Sequence, residues 1–527
     1  MPVLRNAFRL APLAGVALSS CLATAPPPRV AAATHGVEPS ASATQPKLAP
    51  AAPAPPALSP AASSYVGAAR RIREASLADD GAYRKLSYLT DQIGARLSGS
   101  SALEKAVTWA KDMLIADGHE QVALEPVRVP HWVRGAESAT LLTPIPRPIQ
   151  VLTLGGSVAT PPGGLTAELL VVGSFDELEA RKAEVKGKIV LFDHPMSPKG
   201  NAGLAYGEAI AYRVTGAARA APLGALAVLV RSLTTRSLGV PHTGSMRLLE
   251  GKAKNIPAAS VSVEDAELLH RLASSGRLPK IQLTLRPQTL PDADSANVIG
   301  EIRGRELPNE IVLIGAHLDS WDVGQGAQDD GAGVVTVLQA LTTLRSLGLI
   351  PRRTLRAVLF SNEENGRRGA AQYAKDHSSE LAQHVAAFEM DAGSGSPLGF
   401  MTEGEQPYLA EAREYAALLS PIGADHDDCR LFRRRRAGTQ TRWRATVWRP
   451  PRPGALLRRA SLGGRHARQS RSRAPAKSRG SAGYLFLRAR RSTRRLAYTS
   501  ASECSTVSRA AAAASAAAPT ERLSRSI

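Results

Sequence analysis

The spacing of apolar and polar positions changes character three times along this chain of 527 residues. Residues 80–118 have helical spacing: Leu86, Leu89 and Ile93 form one stripe, and Ala106, Trp109, Ala110 and Leu114 form another. Gly118 is placed to stop that helix. From about 145 to 290 the apolar runs shorten and are broken by Gly and Pro. AELLVVGS, GKIVLFD and GALAVLVRS predict strands of an inserted β-rich domain. After Asn297 strands and helices alternate. EIVLIGA predicts a strand, and GAGVVTVLQALTTLRSL a helix with Val334, Leu338, Leu341 and Leu344 inward. LRAVLFS predicts the next strand, residues 370–375 a short helix, and HVAAFEM a third strand. The pattern predicts an α/β fold, with a mostly parallel sheet flanked by helices.

The two ends of the chain differ from this middle. Residues 1–20 pair a short basic start, Arg5 and Arg9, with an apolar stretch through Leu18, and predict a secretory signal. Leu18-Ser19-Ser20-Cys21 resembles a bacterial lipobox, so Cys21 is the expected lipidation site and the anchor of a periplasmic or outer-membrane lipoprotein. The competing reading is cleavage after Ala25, which would release the protein. Residues 26–64 are rich in Pro, Ala and Ser and close a tether over 21–64. No later run reaches the roughly 20 apolar residues of a membrane helix.

The net charge of +20 belongs to one region. From Arg430 onward the chain carries 25 Lys and Arg against 2 acidic residues, whereas residues 1–429 hold 41 basic and 44 acidic ones, a net of −3. Nucleic acid is therefore not an expected partner of the folded part. Cys21, Cys429 and Cys504 provide neither a disulfide framework nor a zinc spacing. The expected domains are a catalytic domain over 65–144 and 291–428, an insertion over 145–290, and an aberrant basic tail over 429–527.

The chemistry concentrates where the third pattern places strand ends. His317 and Asp319 follow the first strand, Asp329 opens the next helix, Glu363 and Glu364 follow the second strand, and Asp391 follows the third. Ligands in such sheets bind beyond the carboxyl ends of strands. Imidazole with carboxylates and no thiolate suits zinc or a similar divalent ion. His317, Asp329, Glu364 and Asp391 are the candidate metal ligands, with Asp329 placed to bridge two ions. Gly331 and Gly333 would let the backbone turn tightly there. Asp319 could accept the second ring N–H of His317, and it joins Glu363, the candidate general base, as a catalytic group. His131, His194 and His242 lack carboxylates at ligand spacing and are expected to be loop or packing residues.

HLDSWDVGQGAQDDGAG, NEENG and EMDAGSG resemble the motifs of the co-catalytic zinc aminopeptidase family, in its carboxypeptidase Q branch. The likeness extends to RLSGS, LEPVRVPHW, TPPGGLTAELLVVGSFDEL and PHTG, over roughly residues 80–425. It implies an exopeptidase of short peptides and dipeptides with free ends, two zinc ions, a protease-associated-like insertion and a possible homodimer. It also implies His317 on one ion, Asp329 bridging, Glu363 as base, and Glu364 and Asp391 on different ions.

The family closes its site with a second histidine near the end of the domain. After Arg430 this chain offers only His466, within GGRHARQSRS, which resembles nothing in the family. The tail reads as a basic arm, as a solvated extension, or as a frame-shifted translation. The last accounts for the joint change of charge, composition and resemblance near residues 425–433. LFLRARRSTRRL is compatible with a neighbouring frame that reads FFFAHAGAPAD. With the last ligand missing, the alternative function is a catalytically impaired relative that binds peptides.

Overall fold

The computed structural model describes residues 58–197, 202–249, 255–391, 395–400 and 406–425. The expected signal, Cys21, most of the tether and the basic tail lie outside these residues.

Strand β1 spans Glu120–Val133, and eight strands follow before the chain returns to the same sheet. They are β2 (Glu137–Thr143), β3 (Arg147–Ile149), β4 (Val151–Thr153), β5 (Leu165–Val172), β6 (Ile189–Phe192), β7 (Ala227–Arg231), β8 (Ala258–Val261) and β9 (Lys280–Leu285). The return runs through β10 (Gln288–Ile302), β11 (Leu307–His317), β12 (Arg353–Phe360) and β13 (His384–Glu389).

The first sheet has the order β1-β10-β12-β11-β13. Its β12-β11-β13 part is parallel, as alternating strands and helices require. The pairings β1–β10 and β10–β12 are antiparallel, so this sheet is mixed rather than mostly parallel. The long β1–β10 ribbon accounts for the difference. It frames the insertion, and the alternation of strand and helix says nothing of it. Both faces of the sheet are covered. Ala357 and Leu359 face the helices Ser101–Ala116 and Ala332–Ser346, while the intervening Val358 and Phe360 pack with Leu313 and Tyr373 opposite.

The helical stripes at the start of the sequence take their expected form. The helix Gly81–Tyr88 continues through a wider turn over Leu89–Ile93 and stops at Gly94, whose φ of 80° suits a residue without Cβ. Ser100 then caps Ser101–Ala116 by accepting the Leu103 N–H. Ala106, Trp109, Ala110 and Leu114 of that helix are buried.

The second sheet lies entirely between β1 and β10, in the order β3-β2-β9-β5-β6-β7-β8-β4. Its centre, β5 to β8, is parallel and built from continuous apolar runs. Helix Val263–Ser274 covers one face, where Leu169, Leu191, Leu229 and Leu269 meet. On the other face Val190, Phe192 and Val230 pack with Tyr212 of the helix Ala202–Ala220. No described helix is long and apolar enough to cross a membrane.

Candidate active site

Parallel β11, β12 and β13 end side by side, and their carboxyl ends deliver His317, then Glu363 and Glu364, then Asp391. The fourth acidic group, Asp329, stands in the turn before the helix Ala332–Ser346. His317 is buried and Asp329 exposed, and Nε2 of His317 is 3.0 Å from Asp329 Oδ1 and 3.6 Å from Asp391 Oδ1. One ligand atom from each of His317, Asp329 and Asp391 lies within 4.8 Å of the others, a spacing that suits a single cation.

The ring of His317 is held by its own loop. Its Nδ1 lies 2.9 Å from the backbone carbonyl of Asp319 and 3.7 Å from the Asp319 carboxylate. The main chain of Asp319 is therefore the nearer acceptor for the Nδ1 proton, which leaves Nε2 directed at Asp329 and Asp391. The carboxylate of Asp319 stays within ion-pair distance of that ring and has a further task that was not expected. It accepts the backbone N–H groups of Glu363 at 2.9 Å and Glu364 at 3.2 Å, and so ties the turn after β12 to the loop after β11.

That turn is further fixed by Asn362, which adopts a φ of 68° that Asn tolerates better than most residues. Its Nδ2 donates to Ser98 Oγ and its Oδ1 accepts the Arg368 N–H. Glu363 and Glu364 are half-buried, and Glu364 Oε1 is enclosed without a hydrogen-bond partner. An orphaned carboxylate oxygen beside this cluster fits a cation.

Sequence reasoning missed two residues that shape the site. Asp330 is fully buried; its Oδ2 accepts the His317 N–H at 3.1 Å and its Oδ1 accepts the Gly333 N–H at 2.9 Å. Beside Asp329 it looks like one half of an acidic pair, and only its burial reveals the bracing role. Arg96 is also fully buried, and its guanidinium donates to the carbonyls of Gly94, Leu318, Gln325 and Gly326. It holds the loop from His317 to Asp329 from beneath, and RLSGS is the one sequence signal that could have pointed to it. The two glycines after Asp330 have a role other than the expected one. Gly331 has an ordinary helical φ of −55°, but a Cβ at Gly333 would lie 2.1 Å from the Met390 carbonyl. Close approach, not a tight turn, requires glycine there.

The electrostatics reflect crowded negative charge. Burial opposes protonation of His317, but contacts with Asp319, Asp329 and Asp391 outweigh it and raise its pKa well above the ordinary value. Burial raises Glu363, Glu364 and Asp330, and neighbouring carboxylates add to the effect. Asp329 goes the other way: its side chain reaches solvent, the protein crowded around it still opposes ionisation, and the contact with His317 prevails and lowers its pKa.

Residues 297–434 match the profile of peptidase family M28. The chain is 46% identical over 345 residues to carboxypeptidase Q of Homo sapiens, covering 66% of this chain and 71% of that protein. It is 29% identical over 354 residues to aminopeptidase YwaD of Bacillus subtilis, covering 65% and 69%. The crystal structure of a peptidase M28 precursor from Shewanella amazonensis aligns with a TM-score of 0.67 at 36% identity, over 69% of this chain and 83% of that one. Fold and relatives together define a metallo-exopeptidase, and the chain belongs to peptidase family M28. Within that family it falls in the carboxypeptidase Q branch.

Proposed function

We propose that this protein is a dinuclear zinc exopeptidase of short peptides, above all dipeptides, with Glu363 as general base. The observation that carries the reading is the meeting of His317, Asp329 and Asp391 at one point, beside the unpartnered Glu364 Oε1. In this reading His317 and Asp391 would hold one ion, Glu364 would serve the other, and Asp329 would be shared between them. Zinc, when bound, supplies the Lewis acidity that polarises a scissile carbonyl and acidifies water. The protein's own groups provide the rest. Asp319 fixes the backbone of Glu363, and Asp330 and Arg96 brace the loop that carries His317 and Asp329. Burial raises Glu363 toward the range in which a carboxylate can take a proton from water and return it to the leaving amine. The 3.2 Å contact from Arg367 Nε to Glu363 Oε1 limits that rise.

Metal content by mass spectrometry, with turnover of a dipeptide panel before and after chelation, tests the reading. Two zinc ions per chain with chelator-sensitive, zinc-restored hydrolysis are expected. Metal-independent turnover would sink it. A second reading, an impaired relative that binds peptides, is favoured by one observation: among the described residues the cluster contains a single histidine. One ion per chain with peptide binding but no hydrolysis would establish that reading instead.

A further inference from the structure

The two ends of the first sheet carry opposite charge. β11 starts beside β12 at Leu307 and Arg353 and runs eleven residues to His317, so its start lies roughly 33 Å from the acidic cluster. At that far end the turns 303–306 and 345–353 and the helix Val66–Ala78 supply eight arginines against two acidic residues, Glu74 and Glu306. Residues 1–429 as a whole have a net charge of −3, so this is a local concentration of positive charge.

Hydrogen bonds hold the three segments against one another. The Arg305 N–H donates to the Pro351 carbonyl at 3.0 Å, and the Glu306 N–H to the Arg352 carbonyl at 3.1 Å. Arg71 Nη2 donates to the Leu347 carbonyl at 2.8 Å, which ties the helix to the second turn. Little of the charge is cancelled. Arg305 and Arg352 share Glu306, and Arg353 pairs with Glu310 at 2.7 Å. Among the described residues no carboxylate pairs with Arg70, Arg71, Arg73, Arg303 or Arg345, and Arg71, Arg303 and Arg345 are exposed. Apolar groups stand among these cations. Ile350 is 57% exposed, with Arg305 Nε donating to its carbonyl at 3.2 Å. Tyr65, also exposed, reaches the Arg352 guanidinium.

We propose that this arginine face rests on a membrane surface rich in anionic phospholipid headgroups, with Ile350 in the headgroup layer and the acidic cluster turned away from the bilayer. Each cation is an arginine, whose planar fork takes two oxygens of one phosphate. Exposed cations around an aliphatic tip and a phenol suit the boundary between headgroups and acyl chains. Tyr65 also lies where the chain enters the described fold, downstream of Cys21, the expected lipidation site. An anchor there would keep this end close to the bilayer, where a modest attraction is enough to seat it. Seated in this way, the enzyme meets its substrates from the aqueous side.

The test mixes the full chain, produced without lipid, with vesicles of phosphatidylcholine alone or with added phosphatidylglycerol, and follows sedimentation and amide hydrogen exchange. Phosphatidylglycerol vesicles should bind the protein at low salt and release it at high salt. They should slow exchange in the turns 303–306 and 345–353 and leave residues 318–329 unchanged. Arg71→Gln/Arg303→Gln/Arg345→Gln should lose that protection and bind on the order of 100-fold more weakly, with Tm and turnover in solution unchanged. Arg71→Lys/Arg303→Lys/Arg345→Lys should keep the protection, because the membrane field reads charge. Equal binding to phosphatidylcholine alone overturns the proposal. So does binding that leaves the two turns unprotected, as attachment through the basic segment after Arg430 would give. Protection by soluble polyphosphate but not by vesicles assigns the face to a dissolved polyanion and overturns it too. If the Gln variant does not fold, the protection pattern of the unmodified chain decides.

Discussion

Both sheets end a buried parallel strand in charged groups, yet they treat the charge in opposite ways. After β6, Asp193 is 7% exposed and accepts from Arg231 Nη1 at 2.9 Å and His270 Nδ1 at 2.7 Å. Arg231 also reaches Glu267 at 2.8 Å, so both carboxylates of this group share a cation. At the end of β11, the carboxylates of Asp329 and Asp391 meet one imidazole, Glu364 keeps an enclosed oxygen without a partner, and Arg96 gives its hydrogen bonds to carbonyls. Acidic residues at strand ends are therefore not what marks a metal centre; acidic residues that the protein leaves uncompensated are. The same contrast separates two buried arginines of the inserted domain: Arg231 has two carboxylates, while Arg213 has none among the described residues.

Substitutions can break this contrast, and the largest effect belongs at the uncompensated end. Glu363→Gln should lower kcat by about 10²–10⁴-fold with Tm and zinc content preserved, as steady-state kinetics and calorimetry would show. Asp193→Ala should do the reverse. Leaving Arg231 buried with only its Glu267 contact should cost about 3 kcal/mol in urea unfolding, while dipeptide turnover per folded molecule stays unchanged. Stripping the metal should fall slightly below that: about 2.7 kcal/mol is lost relative to zinc at a hundredfold its Kd, and Asp193→Ala should lose the same amount on chelation.

The smallest expected effect concerns Glu380, where burial opposes ionisation but Arg356 and His377 outweigh it and hold the carboxyl below its ordinary value. A depressed folded-state pKa adds stability that is present above the unfolded value and is lost as pH falls through the folded one. Glu380→Gln should therefore lower stability at neutral pH and flatten the acid limb of the stability profile.

Much of this fold was legible because the relevant physics is local. The stripe from Ala106 to Leu114 and the run of β11 announce their burial by spacing alone, and strand ends follow from strands. What escaped depends on contacts between distant segments. The β1–β10 ribbon alternates poorly because its Pro- and Asp-containing stretches run beyond the covered part of the sheet. The helix Ala202–Ala220 is rich in Ala and Gly, which blurs an amphipathic stripe. Within the site, His317 and the acidic residues were nameable because their side chains suit a cation. Arg96 and Asp330 were not, because each serves backbone groups that only the folded chain brings near.

The ribbon also bears on how the chain reaches this state. Val133 leaves the first sheet where Gln288 re-enters it, and these two residues are paired neighbours although far apart in sequence. Before the intervening segment folds, closing that gap is entropically slow. Once β2 to β9 have assembled, with β2 and β9 adjacent, the two ends are delivered together and β1 can zip onto β10 as if it were a hairpin. The inserted sheet then sets the folding rate of a catalytic sheet it does not belong to. A lesion there, such as a side chain at Gly216, whose Cβ would lie 2.8 Å from the Phe192 ring, would be felt first as lost yield of refolded enzyme rather than as altered kinetics.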